Sequence, residues 1–197
     1  MRETKRSEML GHALDAFVAN GYVGTSTDQL AAAASISKQT LYKEFGDKEG
    51  VFVAVIRAAC ERIHEPFTQL LDDMHDAPSA RDAVRLLAEQ FARSIMRPEI
   101  QDLRRLVIAE AARFPELGRL YWERGFEATL DALAGCFAVL DDRGLLDIPE
   151  PRMAAEHFSG MLLWIPSNRT MFHADAPGDL ESTIDAGVDA FLRAHRP

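Results

Sequence analysis

Residues 25–52 read TSTDQLAAAASISKQTLYKEFGDKEGVF, and this stretch decides the fold. Thr27 stands before Asp28 as an N-cap hydroxyl for a short Ala-rich helix over about 28–34. Ser35-Ile36-Ser37 then makes a tight turn, and Ser37 is placed to cap a second short helix over about 38–44. Leu30 and Ala34 pair at i, i+4 on the first helix, as Leu41 and Phe45 do on the second. Ile36 lies between them as the plug of a small core, and Ala31 is small enough for close helix approach. Two short helices crossing through a brief turn, braced by a preceding helix, have the grammar of a helix-turn-helix. The outer surface of the second helix falls to Lys38, Gln39, Thr40, Tyr42 and Lys43. Those side chains suit a DNA groove: Gln reads adenine, Thr touches a thymine methyl, and Lys and Tyr hold phosphates or bases. The same face is also commonplace on any solvated three-helix bundle, so periodicity leaves both readings open.

Working outward, helical periodicity recurs almost everywhere and period-2 runs do not. Met9, Leu10, Ala13, Leu14, Phe17 and Val18 form one stripe over 4–20, ended by Asn20-Gly21. A long helix is expected over 48–75, with Pro66 as a kink or break. Pro78-Ser79 with Asp82 caps a helix over 80–96, and Pro98, Pro115 and Pro151 each suit a first helical turn. The helix from Pro115 runs to about Asp142 with Gly144 as its stop, and the last helix follows Gly178-Asp179. The expectation is all-α: an N-terminal helix-turn-helix bundle over 1–50 and an all-helical second domain over 51–197, about nine helices together.

At these residues the chain resembles the tetracycline-repressor (TetR) family of transcriptional regulators. The resemblance runs through Ala16-Phe17, Gly21-Tyr22, Gly24-Thr25-Ser26, Leu30-Ala31, Ser37-Lys38, Thr40-Leu41-Tyr42, Phe45 and Lys48-Glu49. It implies a homodimer that binds an operator in double-stranded DNA and answers to a small-molecule effector. By the family pattern Lys38, Gln39, Thr40 and Tyr42 meet the major groove, with Ser37 and Lys43 beside them. Thr27 offers its helix N-terminus to a phosphate, and Lys48 contacts the backbone. Two positions depart from the pattern. Ser35 holds a turn position usually given to Gly, at roughly 1 kcal/mol for a left-handed conformation. Glu44 would repel a phosphate, and pairing with Lys48 at i, i+4 is its expected role.

Residues 104–125, RRLVIAEAARFPELGRLYWERG, are similar to AefR-like or AcrR-like regulatory domains. An apolar effector cavity would draw on Phe67 and Leu71, then Phe91 and Ile95, from two successive helices. Leu103, Arg104, Val107 and Phe114 are candidates from the next segment, with Trp122 and Phe126, and Phe158 and Leu162, beyond it. Arg104 would orient a ligand's polar end; the apolar members are equally well suited to plain core. By resemblance, Phe158, Met161, Trp164 and Ile165 would pack with Ile184, Val188 and Phe191 against their copies in a four-helix dimer seam, eased by Gly160 and Gly187.

Composition bounds the rest. The 197 residues are 47% hydrophobic and 27% charged, which excludes wholesale disorder. No uncharged stretch reaches membrane-spanning length, and the polar start lacks a signal peptide's apolar core, so a cytoplasmic protein with no membrane partner is expected. Cys60 and Cys136 stand at no metal or redox spacing and read as buried thiols. Phosphate-loop, nucleophile-elbow and zinc-protease motifs are absent, and Glu61-x-x-His64 and Asp72-x-x-His75 read as helix surface pairs rather than metal ligands. No cofactor or metal is called for. Two rivals remain: a small-molecule-binding helical protein with a non-functional helix-turn-helix, and a helical metal or cofactor enzyme. The net charge of −9 argues against DNA until it is divided. Residues 1–50 carry −1 and the remainder −8, so the acidity belongs to the sensor half.

Overall fold

The computed structural model describes residues 3–173 and 178–197. Among them are nine helices and no strand. They are α1 (Glu3–Gly24), α2 (Thr27–Ala33), α3 (Lys38–Phe45), α4 (Lys48–Asp76), α5 (Ala80–Ile95), α6 (Pro98–Glu110), α7 (115–142), α8 (Pro151–Phe172) and α9 (Leu180–Ala194). α7 is continuous but not uniform: Trp122–Glu127 forms a π turn between two α segments. Pro98, Pro115 and Pro151 open their helices, where a missing N–H leaves no bond unmade. Gly21, at φ 72°, breaks α1 at the expected Asn20-Gly21 stop. Pro66 does not end α4, although its ring removes the donor that the Arg62 carbonyl would have used.

The chain groups into two compact units. The first holds Met1–Glu61 and Pro98–Gly125, the second Arg62–Arg97 and Phe126–Pro197. This differs from a division after residue 50, and the reason is packing. α6 lies against α1, and Phe114 sets its ring edge-on to Tyr22 at 4.8 Å, joining a cluster with Phe17 and Phe52. Phe17 and Phe52 are fully buried, a burial that contributes about 1.5–3 kcal/mol for each ring. The segment beginning at Pro98 therefore packs on α1, the helix that itself packs on α2. Val18 alone of the α1 stripe faces outward.

In the second unit Phe137, Phe158 and Phe191 form an interlocked aromatic core at centroid distances of 4.8–5.2 Å. Phe67, Phe91, Leu162, Ile184 and Val188 are buried around it. Arg143 reaches back from the end of α7 to donate to the carbonyls of Met74 and Ala77, satisfying acceptors that the C-terminus of α4 leaves open. On the surface, Arg81 and Arg85 of α5 pair with Asp189 and Asp185 of α9.

Candidate functional site

Ser26, not Thr27, caps α2. Its hydroxyl accepts from the Gln29 N–H, and the Gln29 side chain accepts from the Ser26 N–H at 2.7 Å. This reciprocal box satisfies two orphan donors at once, which a Thr27 cap could not do with Leu30 at the third position. Thr27 instead becomes the first helical residue, and its hydroxyl lies 3.4 Å from the Tyr42 hydroxyl. The turn is as expected: Ser35 takes φ 52°. The Ile36 N–H donates to Ala31, and Ile36 is half-buried as the plug. Ser37 caps α3 by accepting from the Thr40 N–H at 3.0 Å.

α3 buries Leu41 and leaves Lys38, Gln39, Tyr42, Lys43 and Glu44 exposed. Thr40 is half-buried with its hydroxyl 2.8 Å from Ser37, so its methyl is the group left to a groove. The Lys38 ammonium is held by both oxygens of Asp28, at 2.9 and 3.1 Å, and that hydrogen bond raises its pKa.

Lys48 departs from expectation. Its ammonium donates to the carbonyls of Tyr22 (2.8 Å) and Val23 (3.3 Å) and sits 4.7 Å above the Tyr22 ring. It fastens the end of α1 to the start of α4 and does not pair with Glu44. Gly46, at φ 82°, ends α3 between them, so the i, i+4 geometry of a single helix never forms. A second feature of this junction escapes sequence reasoning: Gly50 packs directly against the Phe45 carbonyl.

The twelve sensor candidates divide between the units. Phe67, Phe91, Phe158 and Leu162 share the second core with Ile95 against it, while Leu71 and Phe126 are exposed at its edge. Leu103 and Val107 are buried in the first unit, and Trp122 is exposed there. Phe114 is claimed by Tyr22, so it reads as part of the reader's support rather than as a sensor wall. Burial lowers the pKa of Arg104, and burial raises that of its neighbour Tyr121. The dimer candidates must be redrawn too. Phe158, Ile184, Val188 and Phe191 are buried within the chain, because the i, i+4 apolar face marks the side turned to its own core. Gly187 likewise serves Leu162 of the same chain. Met161, Trp164 and Ile165 are exposed, and Met153 and Phe172 join them on α8.

Both cysteines are buried, and burial pushes each thiol up to about 12. At pH 8 only about one thiol in ten thousand is then ionised, and the thiolate is the reactive form. Iodoacetamide should leave native Cys60 and Cys136 unmodified over hours and label both in denaturant, read by intact mass; rapid native labelling would contradict this burial. His64 is occupied by Thr129, with Nε2 3.0 Å from its hydroxyl. Among the described residues no three His, Cys, Asp or Glu side chains gather to hold a metal, and no helix is long and apolar enough to cross a membrane.

Such a reader, two capped helices presenting a polar groove-sized face, defines a helix-turn-helix regulator. The family profile for bacterial regulatory proteins of the tetR family matches residues 10–55, and that for the C-terminal domain of AefR-like transcriptional repressors matches residues 82–197. The chain belongs to the TetR family of transcriptional regulators. The HTH-type transcriptional regulator RutR of Escherichia coli K12 is 31% identical over 85 residues, 43% of this chain. The match spans 40% of RutR's own length. A TetR-family regulator structure from Mesorhizobium loti MAFF303099 superposes with a TM-score of 0.89 at 38% identity, covering 98% of each chain. The flavonoid-responsive regulator FrrA superposes at 0.75 with 29% identity, covering 100% of this chain and 99% of its own.

Proposed function

We propose that this regulator is a repressor that binds a palindromic operator as a homodimer and is released by a small hydrophobic or aromatic effector. The observation that carries the reading is the face of α3, where Gln39 and Tyr42 stand exposed on a helix capped at Ser37 and anchored by buried Leu41. In a helix-turn-helix dimer two such helices enter successive major grooves, with half-site centres on the order of 34–36 Å apart. Lys38, Thr40 and Lys43 complete the groove contacts, and Thr27 steadies Tyr42. Lys48 acts from within, holding α1 and α4 together, and so sets the pitch of α3 rather than binding phosphate.

Effector release works by differential affinity: the effector favours a conformation whose recognition helices are misplaced for the operator. The packing of Phe114 on Tyr22, and of Lys48 on the same ring, supports a route from the α6–α7 segment to the reader. FrrA, similar over its whole length, responds to flavonoids by its name, which supports an aromatic effector class here.

The direct test is an electrophoretic shift with the promoter of the protein's own neighbouring gene, with salt varied. Affinity should fall steeply as salt rises. Gln39→Ala and Tyr42→Ala should each weaken operator binding by about 1–3 kcal/mol, roughly ten- to a hundredfold. Wild-type affinity in both variants would remove α3 as the reading helix.

A further inference from the structure

The Asp28–Lys38 pair stands at the end of α3 that enters a groove first. Lys38 is the first residue of α3, where the helix dipole disfavours a cation. Asp28, from the first turn of α2, offsets that by gripping the ammonium with both carboxylate oxygens, at 2.9 and 3.1 Å. An ammonium carries three N–H donors, and one of them goes to Asp28 Oδ2 while Oδ1 lies at ion-pair distance. Donors remain for a base edge, while the point charge that would attract any phosphate is partly offset. A second anion brought up to the same place would meet the Asp28 carboxylate as well.

We propose that Asp28 is a specificity determinant of this regulator, converting Lys38 from a general phosphate-binding charge into a directional donor for a base edge. The acceptor class is the O6 and N7 edge of guanine in the major groove. Non-cognate DNA offers Lys38 only phosphates, which Asp28 repels. A matching groove, entered through Gln39 and Tyr42, offers an acceptor that a remaining N–H can reach. The inference rests on α3 being the recognition helix, and it suits a reader half whose charge over residues 1–50 is only −1.

The experiment uses the full-length protein and two probes: a randomised duplex pool, and the duplex that the wild-type protein enriches from it. Wild type, Asp28→Asn, Lys38→Gln and the double variant are titrated against both at several salt concentrations. Both positions are exposed, so the variants keep the fold. Asp28→Asn should bind the pool about tenfold tighter. Its salt slope should steepen by about 2 per dimer, since one more phosphate is neutralised per subunit at roughly 0.9 each. Its preference for the enriched duplex over the pool should drop about tenfold. In the Lys38→Gln background the same substitution should raise pool affinity by only about two- to threefold, the part due to direct repulsion, well short of its effect with Lys38 present. An equal effect in both backgrounds would mean bulk charge alone and overturn the proposal, as would unchanged pool affinity in Asp28→Asn. If the wild type enriches no sequence at all, base reading by α3 falls first and this inference with it.

Discussion

Gly50→Ala should lower the thermal unfolding midpoint by about 6–12 °C and loosen operator binding with it. Helix propensity alone predicts the opposite, since Ala is favoured over Gly in a helix by about 1 kcal/mol. The local packing overrides that preference. A Cβ on Gly50 would lie 2.9 Å from the carbonyl carbon of Phe45 and closer still to its oxygen. Both are backbone atoms, so no rotamer change relieves the clash. The Gly50 N–H is committed as well, donating to the Asp47 side-chain Oδ1 at 2.8 Å, and Gly46 holds φ 82°. The end of α3 must therefore move away from the start of α4. Overpacking of this kind costs about 3 kcal/mol. At roughly 2–4 °C per kcal/mol for a chain of this size, the stated shift follows. Calorimetry reads the midpoint directly, and a rise in midpoint would show that the junction yields freely. Because α3 carries the proposed reading face, operator affinity should fall in the same variant even well below its midpoint.

That glycine also shows where reading a sequence stops. The turn at Ser35, the Ser37 cap and the buried Leu30 and Leu41 were legible, because each is a local rule acting over four residues or fewer. The Pro-opened helices and the stop at Gly144, φ 66°, were legible for the same reason. Ser26 against Thr27 was misjudged although the signal was present: Gln29 three residues on favours Ser26. What required three dimensions was assignment between partners. Lys48 looks like a phosphate ligand until the carbonyls of Tyr22 and Val23 are seen beneath it. Phe114 looks like a sensor aromatic until Tyr22, 92 positions earlier, claims its ring. In the sequence Asp28 marks only the start of the first short helix, because its pairing with Lys38 spans the turn. Four of the dimer candidates, Phe158, Ile184, Val188 and Phe191, failed by a face: the apolar period finds the strongest stripe, and the strongest stripe is the chain's own core.

The stripe left over makes the second large prediction, that Trp164→Glu converts the protein to a monomer. On α8, Ala154, Phe158 and Leu162 are buried in the chain's own core. Met153, Met161, Trp164, Ile165 and Phe172, spaced by steps that keep them on another face, stay exposed, Trp164 at 67% and Phe172 at 82%. A lone chain seldom leaves so continuous an apolar face in water. In a two-fold dimer the same stripe meets itself, so each side chain is used twice. Gly160, with open space where a Cβ would stand, leaves room for a facing backbone. Trp is the commonest kind of anchor at such a centre, worth about 2–4 kcal/mol. Replacing it by Glu removes two anchors and sets two like charges near the axis, so the dimer should weaken by about a thousandfold or more. Sedimentation equilibrium measures this, while circular dichroism should show an unchanged helical signal because Trp164 supports nothing in its own core. A dimer of wild-type strength would place the seam elsewhere. The same variant should lose operator binding almost entirely at concentrations where the wild type is saturated. Residues 1–50 carry −1, so a single reader has little general attraction for DNA, and on the proposed dimeric reading two readers held at a fixed spacing are needed to hold an operator.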